Sequence, residues 1–213
     1  MKSGAMTGKS AMRINKAIPV LLTLSLAATM TLSGCISLGG KVPPTLLTLT
    51  PATNVPAGTV TSGDPKTAIM VMEPETDQHL AVVRVPVQVD DTNVAYIKNA
   101  AWVERPARLF RALLAETLRS KTSALVLEDT QAAASVGTRI SGRLIDMGYD
   151  ARTSSVVVRF EAIRSTTGNA VVSTKRFESV VPGIEAKPEA VGPALNQAAN
   201  DVAAQVAGWV VGG

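Results

Sequence analysis

Two side chains with nucleophilic or acid–base chemistry near neutral pH occur once each, Cys35 and His79. A thiol becomes a nucleophile only where a base or positive field favours the thiolate. The residues around Cys35, "TMTLSGCISLGG", carry no charge at all. Cys35 has no second cysteine with which to form an internal disulfide, and a free thiol left buried behaves as a small hydrophobe. Glu73, Glu75 and Asp77 alternate just ahead of His79 and raise the question of a cation site. Calcium loops space their ligands more widely and punctuate them with glycine, so a solvated loop is the reading for these acids, with His79 as a surface loop residue. There is no GxSxG, GxGxxG, Walker loop, HExxH or cysteine–histidine cluster. The residues therefore point away from an enzyme, and they imply no catalytic, metal-binding or cofactor-binding site.

The place of Cys35 gives it a different chemistry. Residues 1–16 carry Lys2, Lys9, Arg13 and Lys16 without an acid, and Ala17 to Met30 is uncharged and rich in Leu, Ala and Val. Ser33 and Gly34 close the run with small residues. This is the basic, apolar and small-residue order of a secretory signal, and its apolar part is shorter than the roughly 20 residues of a membrane span. Leu32-Ser33-Gly34-Cys35 resembles the lipobox of bacterial lipoproteins. That resemblance implies cleavage before Cys35, a diacylglycerol thioether on its sulfur and, usually, acylation of the new amino group. Each buried methylene contributes about 0.8 kcal/mol, so two or three chains anchor a protein durably where one does not. Met12 opens a compact signal of its own, which leaves residues 1–11 as either an upstream start or an excess ahead of the true one. Ile36 stands where an Asp would retain a lipoprotein at the inner membrane, and its presence implies the outer membrane.

The net charge of +4 is a property of the signal. Removing residues 1–34 takes away four basic residues and leaves seventeen basic against seventeen acidic in a chain of 179. No basic footprint for phosphate remains. With 3% aromatic residues there is also little to stack bases on, so no nucleic-acid partner is expected.

The elements that hold the mature chain together follow from periodicity. Residues 35–65 contain the lipidation site followed by Pro43, Pro44, Pro51, Pro56 and Pro65 among Gly, Thr and Ser. They read as an extended tether, within which "TLLTLT" (45–50) could add as an edge strand. Residues 66–213 read as one domain. "TAIMVMEP" is a core strand, "VVRVPVQVDD" a strand pushed to an edge by Pro86, and "NVAYIKNAAWV" another extended piece. Pro106 suits a first helical turn, and Leu109, Phe110, Leu113, Leu114, Thr117 and Leu118 follow at helical spacing with Arg108, Arg111, Glu116 and Arg119 outward. "ALVLED" resumes strand. "GTRISGRLIDMGYD", "SSVVVRFEAIRS" and "AVVSTKRFESVV" form an antiparallel series with a tight turn at Thr167-Gly168-Asn169. Val156, Val158 and Phe160 should face inward, Arg159 and Glu161 outward. A closing helix presents Val191, Leu195, Ala198, Val202, Val206 and Trp209. The expected fold is α+β, an antiparallel sheet with two main helices packed on one face.

One segment remains, "YIKNAAWVERPARLFRALLAETL", where Trp102, Glu104 and Pro106 precede the first helix. On residues alone it is a strand-to-helix corner with Trp102 as a core plug and Glu104 beside the positive end of the helix. The order Tyr96, then Trp102-x-Glu104-x-Pro106, then a Leu-rich helix resembles the ABC-type transport auxiliary lipoproteins, which include paraquat-inducible protein C. The resemblance runs from about Thr45 to Val210 and includes the lipobox, an early strand motif and the closing helix. It departs at the early motif, where Leu46, Leu47 and Leu49 stand without the usual Tyr. It implies a periplasmic lipoprotein, anchored through Cys35, that serves an intermembrane lipid-transport system as accessory and docking subunit. The partner would be the mammalian-cell-entry (MCE) domain protein that bridges the periplasm, with Glu104 and Arg105 the first residues expected to dock it. Two other classes stand beside this one: a free-standing structural or envelope lipoprotein, and a lipid-carrying module with an apolar groove between sheet and helices. A homo-oligomer is compatible with all three.

Overall fold

The computed structural model describes residues 45–128, 136–168 and 172–212. Cys35, the signal stretch and Asn169 lie outside them. The longest strand, β6 (Thr138–Asp150), is the spine of an eight-stranded sheet. Along one edge runs β7 (Ser155–Thr166), antiparallel over its whole length, followed by β8 (Val172–Pro182), also antiparallel. Gly142 of β6, at φ 144°, lets this pair close: a Cβ there would sit 2.0 Å from the Glu161 carbonyl oxygen.

The other edge of β6 is shared by three short strands laid end to end. β1 (Ile69–Val71) pairs with Thr138–Ile140, β2 (Glu75–Thr76) with Arg143–Leu144, and β3 (Arg84–Gln88) with Tyr149–Asp150. All three run parallel to β6, with Pro74 and the 77–82 turns as the interruptions. Outside them lie β4 (Val94–Ala101), antiparallel to β3, and β5 (Val126–Glu128), parallel to β1. The sheet is thus mixed within an α+β fold, where antiparallel pairing throughout was expected. Helix α1 (Pro106–Lys121) supplies the crossover that the parallel pairing of β5 with β1 requires, and β6 follows on the other side of β1 in the same direction. Pro86 does not make β3 an edge strand, because pairing with β6 starts only at Val87, beyond the missing N–H.

Helix α1 and the closing helix α2 (Pro188–Val211) cover one face of the sheet. Phe110 and Phe160 meet there with ring centroids 5.1 Å apart, and Trp209 packs on Phe177 at 5.7 Å. Ala198, Ala199, Ala203 and Ala207 of α2 are all buried, and their small size allows close helix packing. Val156, Val158 and Phe160 point into this core, while Arg159 and Glu161 face the opposite, wet side. There the charges pair across strands: Arg159 with Asp146 and Glu178, Arg176 with Glu161, and Arg143 with Asp77. Residues 45–55, from the Pro/Gly/Thr-rich stretch, lie against the domain as an extended arm, with Leu47 and Leu49 packed on the core.

Candidate functional site

The Trp102 corner is built by an irregularity in β4. Pairing with β3 jumps from Pro86–Tyr96 to Arg84–Ala101, and within the jump Asn99 takes a left-handed conformation at φ 60°. Asn tolerates that region better than most side chains. The bulge turns Ile97 and Ala100 inward and delivers Trp102 to the core, 2% exposed. The Trp102 amide donates to the Val83 carbonyl at 2.7 Å. On its other side the arm joins: the Leu47 amide donates to the Ala101 carbonyl (2.8 Å) and the Val103 amide to the Leu47 carbonyl (2.9 Å), an isolated parallel bridge. The indole Nε1 is buried without a hydrogen-bond partner.

From Val103 the chain emerges. Val103 is 52% exposed, and Leu46 and Val83, adjacent through these backbone bonds, are exposed as well. Glu104 binds Arg108 one turn into α1 at 2.5 Å. Arg105 precedes the helix without a side-chain cap, and buried Pro106 occupies the first turn, where a missing N–H costs nothing. Arg105 reaches Glu73 at 3.7 Å and keeps more than half of its side chain in solvent. Behind it a chain of ion pairs follows α1 to β5: Glu73 with Arg111 (3.6 Å), Arg111 with Glu128 (3.4 Å), Glu128 with Arg119 (3.0 Å) and Arg119 with Glu116 (3.4 Å). Tyr96 stands apart, half-buried, with the Arg84 guanidinium 3.7 Å above its ring.

The structure therefore brings Trp102, Glu104, Arg105 and Pro106 together and places Tyr96 beyond the bulge. Of the acids ahead of His79, Glu73 and Asp77 serve arginines, and Glu75 is exposed. His79 is half-buried and lines a cleft of about 230 Å³ on the wet face, beside Asp146, Tyr149, Asp150, Arg152 and Arg159. The charges of that cleft satisfy one another: Arg152 holds Asp150 and Asp91, and its hydrogen bonds keep the Asp150 carboxyl below the usual range.

A family described as the ABC-type transport auxiliary lipoprotein component matches residues 47–207. The chain belongs to that family. This auxiliary lipoprotein has the fold of a crystal structure from Xanthomonas campestris, with a TM-score of 0.59 and 16% identity over 80% of this chain and 93% of that one. A second solved protein, uncharacterised, is similar at 0.59 and 15% identity over 71% and 96%. At these identities the likeness bears on the fold alone. No curated protein matches the chain. Among the described residues of the lipoprotein no helix is long and apolar enough to cross a membrane.

Proposed function

We propose that this auxiliary lipoprotein is held at the periplasmic face of the outer membrane by lipid on Cys35, and docks an MCE-domain protein of an ABC-type lipid-transport system through the Trp102 corner. The observation that supports docking there is the division of labour within four residues. Trp102 is locked on three sides, whereas Val103, Glu104 and Arg105 stand in solvent on that rigid support. The exposed apolar side chains Leu46, Val83 and Val103 near the charged Glu104 and Arg105 give this corner the mixed composition of a protein interface. Family membership supports the ABC-transport context.

The space between sheet and helices favours docking over carrying lipid. Leu195, Val202, Val206, Val158 and Phe160 fill it, each at most 1% exposed. The test is co-purification from detergent-solubilised envelope. Glu104→Ala and Arg105→Ala should leave the melting temperature within a few degrees of wild type, since exposed ion pairs contribute about 0–1 kcal/mol. Recovery of the MCE-domain protein should fall. Unchanged recovery with both variants removes this corner as the docking surface.

A further inference from the structure

The arm at residues 45–55 is held in the manner of a bound peptide. Leu47 enters at Gly192 of α2, where a Cβ would come 2.8 Å from the leucine Cδ2. One and two turns further along the helix, Asn196 and Asn200 take over the arm's backbone. The Thr50 amide donates to Asn196 Oδ1 (2.8 Å), the Ala52 amide to Asn200 Oδ1 (2.7 Å), and Asn200 Nδ2 donates to the Thr50 carbonyl (3.0 Å). The arm then crosses to α1, where Thr53 Oγ1 and Ser120 Oγ are 2.9 Å apart and the Val55 amide donates to Glu116 Oε1 at 2.8 Å. Side-chain amides that satisfy both a backbone N–H and a backbone C=O do for an extended chain what a neighbouring strand does. Residues 56–67 are exposed: Gly58 turns at φ 84° with open space where a Cβ would stand, and Val60 is 90% exposed.

We infer that the α1–α2 surface is a peptide-binding site for an extended segment with leucines two residues apart, and that the chain's own arm is its resident ligand. The Leu47 and Leu49 side chains supply the apolar anchors, and Gly192, Asn196, Asn200 and Glu116 form the site. The arm is then a separable latch: its removal frees the Ala101 carbonyl and Val103 amide on either side of Trp102. Any pull on the N-terminal part of the chain acts at Leu47, before it reaches residue 66. The inference stands whether or not the Trp102 corner docks an MCE-domain protein.

The experiment places a protease recognition sequence after Gly58 in the full chain, cuts the folded protein in detergent and follows the two fragments by native gel filtration. The arm should remain with the domain, and an excess of synthetic peptide spanning residues 45–56 should displace it. Asn196→Ala combined with Asn200→Ala, and separately Gly192→Leu, should lower the retained arm at least tenfold. Gly192→Leu replaces a helix-interior glycine with a strong helix former, so a cooperative melt of that variant separates loss of the site from loss of the fold. Val103 amide exchange should accelerate in parallel. Release of the arm from the unsubstituted protein on cutting, or equal retention in all variants, overturns the inference.

Discussion

At the scale of single residues, Trp102 carries the clearest consequence. Its ring is among the largest fully buried side chains, so Trp102→Ala should cost about 3–5 kcal/mol through the cavity it leaves. For a domain of this size that is a fall in melting temperature on the order of 10 °C. Trp102→Phe should cost clearly less, because it keeps an aromatic ring and removes an indole N–H that has no partner. Thermal unfolding followed by circular dichroism checks both; a Phe variant as unstable as the Ala variant would show that the indole nitrogen is bonded after all. The sequence made Trp102 legible because its spacing to Pro106 marked it as part of a strand-to-helix corner. Asn196 and Asn200 were not legible. An asparagine on an amphipathic helix reads as solvated surface, and only the arm, far away in the chain, gives these two their task.

Among the elements, the β3–β4 connection is held by one carboxylate. Asp90 accepts from the amides of Thr92 (2.9 Å) and Asn93 (3.0 Å) and from the Asn93 side chain. These bonds, led by that of the Thr92 amide, lower its pKa from 3.8 to about 2. A carboxyl depressed on folding stabilises the turn above its unfolded pKa and loses that contribution as pH falls through the folded value. Folding of this turn should therefore be insensitive to pH above about 4 and weaken between about 4 and 2. The Thr92 and Asn93 amide shifts, followed by NMR, should titrate together with a midpoint near 2; a midpoint at the ordinary 3.8 would show the bonds to be absent. Both helices and the β6–β7–β8 meander were readable, since local periodicity sets them. The parallel pairings of β1, β2 and β3 were not, because the edge they share is created by a strand fifty or more residues downstream and no local pattern names it.

For the molecule as a whole, the proposed lipid anchor sits on Cys35, outside the described residues. Cys35→Ala should abolish incorporation of radiolabelled fatty acid and leave unprocessed precursor or a soluble form. An unmodified thiol found by mass spectrometry at the start of the mature wild-type chain would remove the anchoring proposal. Ile36→Asp should shift the protein toward inner-membrane fractions, and an unmoved distribution would count against outer-membrane sorting. The signal and lipobox readings rest on linear sequence alone and need no fold to position them.

Thr50 and Asn196, and Ala52 and Asn200, are separated by 146 and 148 residues. A chain that emerges N-terminus first must therefore wait through nearly its entire synthesis before Thr50 and Ala52 meet the side chains that hold them, although Leu47, Thr53 and Val55 find partners sooner. The short strands of residues 69–88 wait as well, for β6 is made after them. Contacts of such long separation slow folding. During that delay residues 50 and 52 lack the asparagines that hold them in the folded chain. The arm's seat on α2 is therefore among the last parts of the fold to be completed.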